Sequence, residues 1–216
     1  YLAIDISREH SLRTAANIAN NFPNVRVGAI CADFLRGLEL PELDGRNKNK
    51  RLAFFPGSTI GNQTPEEAGE FLQMVRNVVG VGGNLLIGVD LKKNKIILNA
   101  AYNDAQGYTA AFNLNLLHRI KNELNADVDV DAFRHLAFYN EQESRIEMHL
   151  KSIRDQAISL NGRIFQFNED ETLHTENSYK YSLDEFAELA SKNGFLVMKS
   201  WTDSDNLFSI QYLLAV

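Results

Sequence analysis

A chain of 216 residues with 44% hydrophobic content can bury a sizeable core, as one domain or as one domain carrying an insertion, which excludes a disordered chain. The formal charge of −6, with no basic block beyond NKNKR at 47–51, excludes an electrostatic footprint for nucleic acid or anionic lipid. The apolar runs are strand-sized, no secretory start is visible, and one cysteine cannot form an internal disulfide, so the expected location is the cytoplasm, without nucleic-acid or membrane partners.

In chain order, YLAIDIS (1–7) reads as a short strand ending on an acid, and SLRTAANIANNF (11–22) carries apolar residues at near-helical spacing. VRVGAICADF (25–34) is a second strand ending on an aspartate, with Val27, Ala29, Ile30 and Ala32 making Cys31 a buried thiol. RLAFFPGSTIGN (51–62) is a third strand and its loop, PEEAGEFLQMVRNVV (65–79) a helix with Pro65 in its first turn, and GGNLLIGVDL (82–91) a fourth strand. Strands and helices alternating over short links predict a parallel, doubly wound α/β sheet. Ligands of such sheets sit at the carboxyl ends of the strands, which draws attention to Asp5, Asp33 and the loop 56–62.

From about 92 to 181 the pattern changes. AFNLNLLHRIKNEL (111–124) is a helix, but RIEMHLKS (145–152) alternates strictly, with Ile146, Met148 and Leu150 on one face and Arg145, Glu147, His149 and Lys151 on the other. AISLNGRIFQF (157–167) is a hairpin about Asn161-Gly162. Residues 92–181 are thus expected to form an inserted α+β unit, with 1–91 and 182–216 forming the alternating core. Ser182 and Glu185 form a capping box for the helix 183–193, and FLVMKSWTD (195–203) and NLFSIQYLLAV (206–216) close the chain as antiparallel strands, with Trp201 and Phe208 as core.

Asp5 and Asp33 are placed to hold ribose and adenine, although spacing alone favours capping or solvation. GVGG at 80–83 precedes a strand, so it is no dinucleotide fingerprint, and the Walker and HExxH patterns are absent. The five histidines lack ligand spacing, so no metal is expected. On composition alone Met148 reads as core and Glu176 as a solvated acid, while Asn62 could cap the helix at 65–79 and Tyr102 flank a turn.

The runs FFPGSTIGN (54–62), AYND (101–104), AAFNLNLLHRI (110–120), RIEMHL (145–150), HTENSYKYS (174–182), and WTD with LFS (201–209) resemble the histidine Nα-methyltransferases of ergothioneine biosynthesis, over nearly the whole chain. The resemblance implies a Rossmann-like class I methyltransferase fold with an inserted substrate domain. It also implies transfer of methyl groups from S-adenosylmethionine to the α-amine of histidine, giving hercynine and S-adenosylhomocysteine. Position by position, it makes Asp5 the ribose ligand and Asp33 with Phe34 the adenine pair. Gly57 and Asn62 form the pocket loop, Asn62 and Tyr102 hold the amino acid's backbone groups and are the candidate catalytic residues, Met148 lines the side-chain pocket, and Glu176 with Ser178 bond the imidazole.

In-line displacement at a sulfonium asks the protein mainly for positioning. The amine must shed a proton, to a tyrosine or to a water near Asn62 and Tyr102. A carboxylate and a hydroxyl facing an imidazole reject side chains that cannot match both. The family's glycine-rich loop and its central first strand precede the segment matching YLAIDIS, so two unpaired edges and weak cofactor binding are expected of these residues alone. A relative acting on another amino acid, such as a tryptophan derivative, and a non-catalytic fragment or regulatory homologue are the alternatives. The loop DGRNKNKR (44–51) reads as solvated and neutral for function.

Overall fold

The computed structural model describes residues 1–33, 40 and 51–216. The expected adenine contact Phe34 and residues 44–50 of the charged loop therefore lie outside the described residues. The first element, β1 (Leu2–Asp5), leads into α1 (Arg8–Asn21), capped by the Ser7 side chain, which accepts from His10 N. It pairs in parallel with β2 (Gly28–Cys31), Asp5 standing opposite Cys31. Cys31 is exposed, against expectation: among the described residues β2 has β1 as its one strand neighbour, so its surroundings stay open, and the thiol donates to Ile6 O.

The second sheet holds β3 (Leu52–Phe55) and β4 (Asn84–Asp90) in parallel, joined through α2 (Pro65–Val79). Helix α2 starts where sequence places it because Thr64 and Glu67 cap it reciprocally, with Pro65 in the first turn. Asn62 is thereby released from capping. The chain ends as α5 (Leu183–Lys192), held by the Ser182–Glu185 capping box, then β10 (Phe195–Thr202) and β11 (Phe208–Ala215), giving the sheet order β10-β11-β4-β3. The terminal pair is antiparallel, as its short turn requires. Its core packs Ile60, Leu72, Leu85, Ile87, Phe186, Phe195 and Leu213. Trp201 is not part of it: the ring is 44% exposed on the edge strand, with Lys199 Nζ above it.

Among the described residues nothing pairs with the second edge of β1 or of β3. A cavity of about 430 Å³, lined by Leu2, Ile4, Leu52, Phe54, Phe55 and Val79 among others, lies between them.

Between these parts the chain builds α3 (Lys95–Tyr102), α4 (Tyr108–Leu124), the strands β5 (Phe133–Asn140), β6 (Arg145–Ser152) and β9 (Thr172–Tyr179) in one antiparallel sheet, and the hairpin β7 (Gln156–Leu160) and β8 (Arg163–Phe167). The hairpin turns at Asn161 and Gly162, both at positive φ as a two-residue turn demands. One cluster gathers Leu117, Phe133, Leu150 and Ile158, and another Leu98, Ala137, Ile146 and Met148. Strand β6 departs from its half-solvated pattern: Glu147 and His149, expected to face water, are buried. The ring of His149 is covered by Phe138 on one strand and His174 on the other. No helix among the described residues is long and apolar enough to cross a membrane.

Candidate active site

Three segments meet at the carboxyl ends of β3 and β4. The loop after β3 runs Pro56-Gly57-Ser58 into a short 3₁₀ turn, Thr59–Asn62. Ser58 adopts the left-handed region, φ 55°, and its Oγ accepts from Asp90 N at 2.8 Å, which ties the loop to the end of β4. Gly88 lets β4 approach that loop, since a Cβ there would lie 1.9 Å from Pro56 O. Gly61 does the same toward β9: its Cβ would lie 2.9 Å from Tyr179 O.

This close approach brings Asn62 to Glu176, whose carboxylate accepts from the Asn62 side chain. Burial pushes the Glu176 carboxyl above its ordinary range, and the Asn62 hydrogen bond offsets part of that. Met148 is paired with Glu176 across the β6–β9 ladder and is buried beneath Tyr102 in the Leu98 cluster. Tyr102, in the last turn of α3, donates from Oη to Ser178 Oγ at 2.8 Å. The α3 helix that carries it was not anticipated, and its turn closes through Asn103, which donates to Asn99 O and Ala137 O. Four of the expected substrate residues, Asn62, Tyr102, Glu176 and Ser178, thus form two hydrogen-bonded pairs, with Gly57 in the loop that leads to them.

Sequence reasoning missed the centre of this arrangement. The Lys180 side chain is fully buried, with Nζ 2.7 Å from Ser178 Oγ, 3.0 Å from Tyr102 Oη and 2.7 Å from Asp90 Oδ2. Asp90 Oδ1 in turn accepts from Lys93 at 2.6 Å. A signal existed: alternation along an extended chain puts residues 176, 178 and 180 on one face. The lysine in so polar a run reads as solvated.

Asp5 and Asp33 lie apart from this group, at the neighbouring carboxyl ends of β1 and β2. Asp5 Oδ1 accepts from Ser7 N at 2.7 Å, an orienting contact in the turn before α1. Two carboxylates at adjacent parallel strand ends are an acceptor set suited to the hydroxyls and amine of a nucleoside.

Two of the five histidines, distant in sequence, come together in space. Glu147, His149 and His174 offer ligand atoms within 4.8 Å of one another. The two imidazoles stack, with centroids 4.5 Å apart and planes at 15°, so their nitrogen lone pairs run side by side instead of converging. Glu147 Oε1 already accepts from Arg145 and Asn140. The trio is a group across β6 and β9, joined by the His149–Glu147 hydrogen bond and the stacking of His174 on His149.

A family profile described as histidine-specific methyltransferase, SAM-dependent, matches residues 1–215. A histidine N-alpha-methyltransferase of Mycolicibacterium smegmatis is 37% identical over 206 residues, covering 92% of this chain and 62% of that protein. One from Mycobacterium tuberculosis is 37% identical, over 97% of this chain and 65% of that protein. The chain therefore spans a little under two thirds of the length of these curated relatives. Ergothioneine biosynthesis protein 1 of Neurospora crassa is 29% identical, over 94% of this chain and 23% of its own. Among solved structures, the CcbJ methyltransferase of Streptomyces caelestis superposes with a TM-score of 0.53 at 14% identity, over 100% of this chain and 79% of that one, a likeness of fold.

Proposed function

The chain belongs to the histidine-specific, SAM-dependent methyltransferase family, and from that premise we propose that the protein methylates the α-amino nitrogen of histidine to hercynine, in the cytoplasm, as a step toward ergothioneine. The observation that carries the reading is the convergence of Glu176 and Ser178 on one face of β9, with Asn62 and Tyr102 bonded to them from two other elements. A carboxylate and a hydroxyl so arranged match the two nitrogens of an imidazole, and an indole would leave Ser178 unsatisfied.

S-adenosylmethionine, when bound, supplies an electrophilic methyl group on a sulfonium. Asp5 and Asp33 are the described residues whose chemistry suits its ribose and adenine. The chain's own work is then positional. Asn62 and Tyr102 hold the amino acid's backbone groups, Glu176 and Ser178 hold the ring, Met148 supports the floor, and the amine is presented with its lone pair forward. Tyr102 Oη already donates to Ser178 and accepts from Lys180, which leaves a water beside Asn62 to take the ammonium proton. We read residues 92–181 as the inserted unit that carries the substrate wall.

Mass spectrometry after incubating the full-length protein with S-adenosylmethionine and the twenty amino acids tests this. Gains of one to three methyl groups on histidine alone are expected. Methylation of another amino acid, or none, overturns the reading.

A further inference from the structure

Lys180 is an expensive residue to keep. A buried ion pair often gives no more stability than apolar residues of the same volume would, so a fully buried ammonium bonded to two of the expected substrate-binding residues, Tyr102 and Ser178, points to a role in setting their geometry. Its three hydrogens have three takers: Asp90 Oδ2 at 2.7 Å, Tyr102 Oη at 3.0 Å and Ser178 Oγ at 2.7 Å. Ser178 Oγ also accepts from Tyr102 Oη. Both lone pairs of the serine are then occupied, and the one thing it can offer a ligand is its hydrogen.

We propose that Lys180 is a specificity-determining positioning residue that fixes Ser178 as a hydrogen-bond donor and thereby restricts the pocket to a neutral imidazole. This rests on the histidine reading above. A neutral imidazole has one N–H for the Glu176 carboxylate and one bare nitrogen for the Ser178 hydrogen. An imidazolium has no bare nitrogen. To bind, it would need the Tyr102–Ser178 bond reversed, and it would bring a second cation against Lys180. Among the described residues, the charged groups facing the site are Asp90 at the end of β4, Lys93 just after it, Lys180 itself, and Glu176 on β9, with Tyr102 from α3 as the other titratable group. Two ammonium groups and two carboxylates balance, so a charged ring adds an uncompensated cation.

The test compares histidine with triazolylalanine, whose ring keeps one N–H and bare nitrogens and stays neutral throughout. Calorimetric affinities of the full-length protein for both are taken at pH 7.5 and 5.5, and their ratio cancels any titration of Glu176. With an imidazole pKa of about 6.5, the wild-type ratio of histidine to triazolylalanine affinity falls about tenfold across this range. In Lys180→Met, with Asp90 still held by Lys93, the fall shrinks to about twofold. Tyr102→Phe keeps the ammonium but frees one lone pair of Ser178, and shifts the ratio in the same direction. A wild-type ratio that stays flat, or both folded variants falling tenfold like the wild type, overturns the proposal. Failure of histidine to bind at pH 7.5 would instead count against the functional reading on which it rests.

Discussion

The sharpest structural prediction concerns Gly61, the buried third residue of the turn that carries Asn62 to Glu176. A Cβ at this position would sit 2.9 Å from Tyr179 O, 3.5 Å from Tyr179 N and 3.6 Å from Ser178 Oγ. The first of these is a backbone atom in a paired strand, so the turn itself must retreat, by about half an ångström to reach ordinary contact. Overpacking of this kind costs about 1–3 kcal/mol. For a protein of this size that lowers Tm by about 2–12 °C. The same retreat lengthens the Asn62–Glu176 bond, and since a misplacement of about 1 Å costs about a hundredfold, kcat/KM for histidine in Gly61→Ala should fall about tenfold. Gly57→Ala is the control for stability: its Cβ would meet nothing nearer than Thr59 Oγ1 at 3.7 Å, so Tm should hold. Thermal denaturation and initial rates of both variants suffice. Gly61→Ala with unchanged Tm and unchanged kcat/KM would refute the claim that this contact sets the geometry of the wall.

Glu176→Ala removes the acceptor for one ring N–H and should reduce kcat/KM for histidine about a hundredfold, measured by product mass spectrometry. Because burial raises the Glu176 carboxyl, its ionisation opposes folding in full above the folded pKa, and the cost falls as pH drops below that and is gone below the ordinary carboxyl pKa of about 4.3. Glu176→Gln should therefore be more stable than wild type at pH 8, with the difference closing in acid, as followed by urea denaturation. Glu147 behaves oppositely: burial would raise it, but hydrogen bonds from Arg145, Asn140 and His149 bring its pKa to about 2. The stability it contributes is present above the ordinary carboxyl pKa of about 4.3 and is lost as pH falls toward that lower value, so Glu147→Gln should lose less stability between pH 5 and 2.5 than wild type does. Ser182→Ala, which breaks the α5 capping box, should cost about 1 kcal/mol, readable as a drop in Tm of about 2–4 °C.

What sequence alone determined here is what short-range physics determines. The start of α2 at Pro65, the Ser182 cap of α5 and the Asn161-Gly162 turn each depend on residues within four positions of one another, and each is where its local chemistry puts it. The resemblance carried by FFPGSTIGN and HTENSYKYS also singled out Asn62, Tyr102, Glu176 and Ser178, which the fold joins as two hydrogen-bonded pairs. Long-range closure alone decided the rest. Tyr102 meets Ser178 and Lys180 across 76 and 78 residues, and no local pattern announces that an amine in a polar run will lose all its water. Glu147 and His149 lie on what alternation marks as a solvent face, yet Phe138 and His174 from neighbouring strands cover it. Cys31 and Trp201 erred the other way, since an apolar neighbourhood in sequence does not guarantee a covering layer in space. Burial is a property of which elements pack together. The lysine that sets the polarity of the pocket became legible only when β4, α3 and β9 closed around it.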